Sequence, residues 1–139
     1  MIEFVRELEV KLEAFMTNVP AQTWAQLGSP TLTCESMAVG TSGVRQEPVV
    51  TGSDRCGMFD ILEVIAGIAR ECKVEFEEDG TTSPEQAEEI AAILDPDTEA
   101  LIAWADSLNR PATALTNIQW QIEGGLVATI LTTSVYIGW

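Results

Sequence analysis

Between Ile2 and Met16 the apolar residues Ile2, Val5, Leu8, Leu12, Phe15 and Met16 return every three or four positions, the spacing that lines one face of an α-helix. Glu7 and Lys11 sit one turn apart on the other side, where they can pair. Asn18 and Pro20 end the pattern. TWAQLGSP and PTLTCESMAVG then read as short strands divided by Gly28, Ser29 and Pro30. Residues 40–57, GTSGVRQEPVVTGSDRCG, mix glycine, proline and small polar residues with little apolar surface. That composition predicts a long mobile loop or contact arm.

The stretch RCGMFDILEVIAGIAREC, from Arg55 to Cys72, fits two periods. Met58, Ile61, Leu62, Ile65, Ile68 and Ala69 would share a helical face, while Met58, Leu62, Val64, Ala66 and Ile68 would share a strand face. Flanking glycines and β-branched residues favour the strand. Next, SPEQAEEIAAIL opens with Ser83 as N-cap, Pro84 at the first helical position and Gln86 placed for a capping box. DPDTEALIAWADSLNRP repeats the device with Asp95 and Pro96, so a pair of short helices over 83–109, meeting at Asp95, is expected. Ala87, Ile90, Ala91 and Leu94 face the core from the first helix, and Leu101, Trp104, Ala105 and Leu108 from the second.

A hairpin closes the chain over 112–139. Ile118, Trp120 and Ile122 alternate with Asn117, Gln119, Gln121 and Glu123, as on a half-buried strand. Gly124 and Gly125 suit a tight turn. LVATILTTSVYIGW returns with no charge on either face, which predicts cover on both sides by the chain's own helices or by a neighbouring subunit.

Composition narrows the function classes. The 139 residues are enough for one domain, with 46 % hydrophobic and 21 % charged residues. A net charge of −15, from 7 basic and 22 acidic residues, opposes a nucleic-acid groove or an anionic membrane surface. The acidic, amphipathic N-terminus does not read as a signal peptide, and no apolar run is long enough to span a bilayer. A cytoplasmic setting is therefore expected.

The chemistry-bearing residues do not form a recognisable catalytic set. Histidine is absent, which removes the commonest general base and the Ser-His and Cys-His nucleophiles. Cys34, Cys56 and Cys72 include no CxxC pair. On a single strand Cys56 and Cys72 would stand some 50 Å apart, far beyond disulfide reach, so they read as packed thiols. Asp60 and Glu63 would point to opposite faces of that strand and could not converge for glycosidase-like work. The acids between Val74 and Asn109, with no Lys or Arg among them, lack the spacing of a calcium loop and read as a solvated face. Trp24, Trp104 and Trp120 are expected in the core or an interface, and Trp139 as an anchor on a neighbouring subunit. No catalytic residue, metal or cofactor is assigned.

The order of an amphipathic helix, a strand containing TLTCES, a glycine-rich loop, RCGMFDILEVIAGIAREC, a helix pair and the closing QWQIEGGLVATILTTSVYIGW hairpin resembles the small tail-terminator and neck proteins of long-tailed phages infecting actinobacteria. The resemblance covers most of the chain and rests on layout, the cysteines, Arg55 and the Gly-Gly hairpin. It implies an α+β domain whose mixed, mostly antiparallel sheet packs against the N-terminal helix and the central helix pair, in subunits that close a ring, commonly a hexamer. Such a ring caps the tail tube, meets the head-side connector or stopper protein and passes DNA through its lumen without specific binding. The setting it implies is the neck of the virion, assembled in the host cytoplasm.

A closed ring needs two different patches that meet. The loop offers Gly43, Val44, Arg45, Val49, Val50 and Arg55 for one of them. The last strand offers Val127, Thr129, Leu131, Thr133 and Val135, with Trp139 beyond it. Two alternatives remain on the sequence: a head-side stopper or completion protein, and an acidic adaptor or DNA-mimic inhibitor.

Overall fold

A computed structural model describes residues 1–50, 56–71, 83–123 and 126–137. In chain order these form α1 (Ile2–Glu13), β1 (Gln22–Leu27), β2 (Ser36–Val50), β3 (Cys56–Glu71), α2 (Pro84–Ser107), β4 (Asn117–Glu123) and β5 (Leu126–Tyr136). The strands make one five-stranded sheet in the order β1-β2-β3-β5-β4. β1 runs parallel to β2, and every other pair is antiparallel. The fold is α+β, with both helices on the same face of a mixed sheet.

Side-chain alternation explains the layering. Met37 and Val39 of β2, Leu62, Val64, Ala66 and Ile68 of β3, and Leu131 and Val135 of β5 all point to the helix side. They meet Val5, Leu8 and Leu12 of α1 and Leu101, Trp104 and Ala105 of α2. Fully burying one such side chain is worth roughly 1.5–3 kcal/mol relative to exposure. Trp104 is completely buried, and its indole N–H donates to the Leu8 carbonyl at 3.0 Å. The bond satisfies a polar group in the core and fixes one helix to the other.

The stretch 58–70 is a strand, within β3. Cys56 opens β3 and Glu71 closes it; Cys72 lies outside the described residues. Residues 40–50, expected as loop, are instead the outer part of β2, so the strand that PTLTCESMAVG suggested begins later, at Ser36, and runs much further. The physical reason is close approach. The connection from β1 to the parallel β2, residues 28–35, crosses the sheet face opposite the helices and lies directly on the backbone. A Cβ at Gly40 would collide with the Gly28 carbonyl oxygen, and one at Gly67 would lie 2.7 Å from Leu32 Cδ1. At Gly40 and Gly67 glycine therefore serves packing, not mobility. Gly43 sits at a bulge where the β2–β3 register shifts, with φ at +155°.

The expected helix pair is one helix. α2 continues through Pro96, although a proline inside a helix costs about 3 kcal/mol. Packing offsets this: Ile90 and Leu94 before the proline and Leu101 and Trp104 after it are buried on the sheet. Asp97, taken as part of a solvated face, is 4 % exposed and receives Arg70 of β3, Nε at 3.1 Å and a terminal nitrogen at 3.0 Å. The capping box at Ser83 and Gln86 is present, with Gln86 N–H donating to Ser83 Oγ at 3.2 Å and Ser83 N–H donating to Gln86 Oε1 at 2.7 Å.

β4 pairs with β5 from Asn117↔Thr132 to Glu123↔Leu126, which leaves two residues, 124 and 125, to join them; those two lie outside the described residues. Ile118, Trp120 and Ile122 share the helix-side face as the alternation predicts, but Trp120 is 57 % exposed rather than packed away. β4 is the sheet edge, and α2 reaches only part of it.

Candidate assembly surface

The sheet is not uniformly supported. β5 pairs with β3 only from Ile61↔Tyr136 inward, and β1 pairs with β2 only from Ser36 to Thr41. Beyond these limits, with Ile137 N–H still donating to the Asp60 carbonyl at 3.0 Å and Thr113 Oγ1 to Glu47 Oε1 at 3.4 Å, β2 and β3 continue as a two-stranded ladder through Gln46↔Asp60, Glu47↔Phe59, Pro48↔Met58, Val49↔Gly57 and Val50↔Cys56. At strand rise this arm extends about 17 Å past the sheet. Isolated two-stranded ladders are marginal in water. Val44, at the arm's root, is 46 % exposed on the helix side, where neither helix covers it.

Polar contacts brace the root. On the face opposite the helices, Arg45 Nε donates to Glu63 Oε1 at 2.6 Å and an Arg45 terminal nitrogen to Glu47 Oε1 at 3.1 Å. Ser134 Oγ donates to the other Glu63 oxygen at 2.8 Å, so the chain of contacts crosses β2, β3 and β5. The Glu63 bond, more than Glu47, pushes the Arg45 guanidinium pKa up from its already high value. On the other face Gln46 Nε2 donates to Asp60 Oδ1 at 3.0 Å. Asp60 and Glu63 thus diverge, as their spacing on a strand requires.

The expected interface residues separate into three groups. Gly43, Val44 and Arg45 sit at the root of the arm, with Gly43 half-buried and the other two exposed, and the backbones of Val49 and Val50 lie in its outer ladder. Val127, Thr129, Leu131, Thr133 and Val135 are at most 3 % exposed beneath the helices. The uncharged strand is central, and its charge-free helix-side face is the protein's own core, which leaves those five side chains no surface for a partner. Its other face holds Ile130, Thr132 and Tyr136, half-buried, beside Ala128, fully buried. Arg55 and Trp139 lie outside the described residues, as do Glu75, Glu77, Glu78 and Asp79 of the acidic run.

One buried acid was not anticipated. Glu9 of α1 is 4 % exposed, and its Oε1 has no hydrogen-bond partner. Burial first, then the charge of Glu13 one turn on, raises its carboxyl from an ordinary 4.5 to about 7. Its position in the helical repeat, next to Leu8 and one turn from Leu12, was the signal available in the sequence.

Two hollows flank α2. One, of about 510 Å³, lies between the end of α1 and α2 over the Arg70–Asp97 pair. The other, of about 410 Å³, is walled by Ala87, Ile90, Ala91, Leu94 and Asp95 of α2 and by Trp120 and Ile122 of β4. Among the described residues no group of three acidic or cysteine side chains is placed to hold a metal ion, and no helix is long and apolar enough to cross a membrane. No protein-family model matches the chain, and neither does any curated protein with which it was compared.

Proposed function

We propose that the protein is a structural subunit of a phage neck, a ring-forming tail terminator that caps the tail tube and meets the head-side connector while DNA passes through. The observation that carries this reading is the two-stranded arm. It extends a backbone ladder beyond the pairing that β1 and β5 provide among the described residues, and a marginal element of that kind gains stability by docking on a neighbour. Arm-to-body contact between identical copies is heterologous, and such contacts close into rings when the rotation allows. The sheet's helix-free side supports the reading as well, since Ile65 and Ile130 remain half-buried there. Excess negative charge suits a lumen from which DNA must not stick. The exposed Glu85, Glu88, Glu89 and Glu99 of α2 are a ready source of that charge.

Native mass by light scattering, with negative-stain imaging, tests this with and without tail-tube protein. Rings in either condition support the proposal; a monomer that ignores tube protein overturns it. The arm itself is tested by joining Gln46 to Asp60, which face each other across the ladder, through an Asn-Gly turn. The shortened protein is expected to fold and stay monomeric, because the buried residues of the helix-side core all lie outside 47–59.

A further inference from the structure

The groove between α2 and β4 combines three features that do not depend on ring formation. First, β4 is an edge strand, and among the described residues no strand pairs with its outer side. Natural edges are usually blunted by lysine, proline, a bulge or a covering element. β4, NIQWQIE, contains neither lysine nor proline, and its register with β5 runs without a shift. Its outer backbone groups face away from β5.

Second, the face beside that edge, as its described residues line it, is shaped for alternate apolar side chains. Trp120 is held against α2 by its indole N–H, which donates to Thr98 Oγ1 at 3.1 Å, and Ile122 is 40 % exposed. Across from them Ala87 and Ala91 are small and exposed, one helical turn apart, with Ile90 and Leu94 forming the floor. A strand added outside β4 would place every second side chain over this space. Third, the rim is acidic. Asp95 lines the groove, Glu88 is exposed beside Ala87, and Glu123 ends β4. No Lys or Arg is among the described lining residues.

We propose that this edge and groove receive an extended segment of another protein, which adds as a sixth strand on β4, sets alternating large apolar side chains into the groove and carries Lys or Arg at its ends. Charge complementarity with the acidic rim of Asp95, Glu88 and Glu123 selects an occupant that carries Lys or Arg at its ends. Main-chain bonding supplies affinity and the alternate side chains supply specificity, the usual division in strand addition.

The test uses the full-length protein and three fluorescent peptides. One has four alternating valines and leucines with two lysines at each end. The second replaces the lysines with glutamates, and the third N-methylates every second residue of the first, prepared in both phases. Anisotropy is expected to show saturable binding of the lysine peptide, weakened at least tenfold in the glutamate peptide and in 0.5 M salt, on the order of the screening expected for several charge pairs. One phase of the N-methylated peptide is expected not to bind, which separates strand addition from simple greasing of the groove. Ala91→Arg, which fills the groove and reverses its rim charge at an exposed site, should cost about tenfold, as should Trp120→Ala. Circular dichroism checks that each variant is folded. No binding at about 1 mM lysine peptide, equal binding of both charge types, or no loss in Ala91→Arg overturns the proposal. Self-association that Ala91→Arg abolishes, without peptide binding, also overturns it by assigning the groove to a second copy.

Discussion

β2 and β3 are each two different strands in one. Their inner halves lie between β1 and β5, under two helices, and carry Met37, Val39, Leu62, Val64, Ala66 and Ile68 with essentially no exposure. Their outer halves, from Glu47 and Phe59 outward, have no other strand beside them among the described residues. The backbone ladder is continuous, so hydrogen bonding does not distinguish the two regions. Burial does. The inner half is stabilised by side chains against α1 and α2, whereas the described contacts of the outer half are its ladder and a few polar braces at its root. A substitution in the inner half should therefore be read in stability, and one in the arm in assembly.

The largest effect is expected at the joint that holds α2 to the inner sheet. Asp97→Ala leaves Arg70, whose side chain is 14 % exposed, without its carboxylate, and should destabilise the fold by about 3–5 kcal/mol, measured by urea unfolding. A cost below about 1 kcal/mol would show that the Pro96-containing helix is held by apolar contacts alone. Gly67→Val comes next. Its Cβ would meet Leu32 at 2.7 Å, and overpacking of this kind costs about 1–3 kcal/mol. An unchanged denaturation midpoint would mean that residues 28–35 move aside freely.

Glu9→Gln sharpens the comparison through pH. The folded carboxyl keeps its proton up to about pH 7, while the unfolded one loses it near 4.5. Between these values the native state binds more protons, so stability falls as pH rises through the window and stays low above it. The glutamine variant should match the parent near pH 4 and exceed it by about 1–3 kcal/mol at pH 8. A parallel pair of stability curves would remove Glu9 as the cause.

Two smaller effects separate the regions most sharply. Thr129 Oγ1 is buried with no hydrogen-bond partner, so Thr129→Val should be neutral or stabilise by up to about 1 kcal/mol and leave the proposed ring assembly unaffected. Arg45→Ala removes exposed ion pairs at the root of the arm. It should leave the melting temperature nearly unchanged while weakening the proposed ring assembly in a light-scattering titration. If Arg45→Ala lowers stability and spares assembly, the arm belongs to the core and the distinction drawn here fails.

Much of the fold was legible because local patterns and tertiary needs agreed. The α1 stripe, the capping box at Ser83, the burial of Ile90, Leu94, Leu101, Trp104 and Ala105 in α2 and the alternation in β4 and β5 each follow from the period that the backbone imposes on side chains. Ala87 and Ala91, expected to face the core, are instead exposed, because the first half of α2 stands off from the edge strand and leaves a groove there. The absence of histidine, the acidic charge and the scattered cysteines were also plain in the composition. The candidate site was less legible. The arm's existence was signalled, but glycine and proline between 40 and 57 suggested a loop, because sequence cannot tell a glycine that permits motion from one that permits contact.

Only tertiary structure made that distinction. Gly40 and Gly67 lie where residues 28–35 press on the sheet, Pro96 is tolerated because Arg70 and the core hold both halves of α2, and Val127 to Val135 face inward because β5 takes a central place in the strand order. Each depends on which distant segment arrives next to it. A chain's local periodicity determines which way a side chain points; what it then meets is decided by packing between residues far apart in sequence.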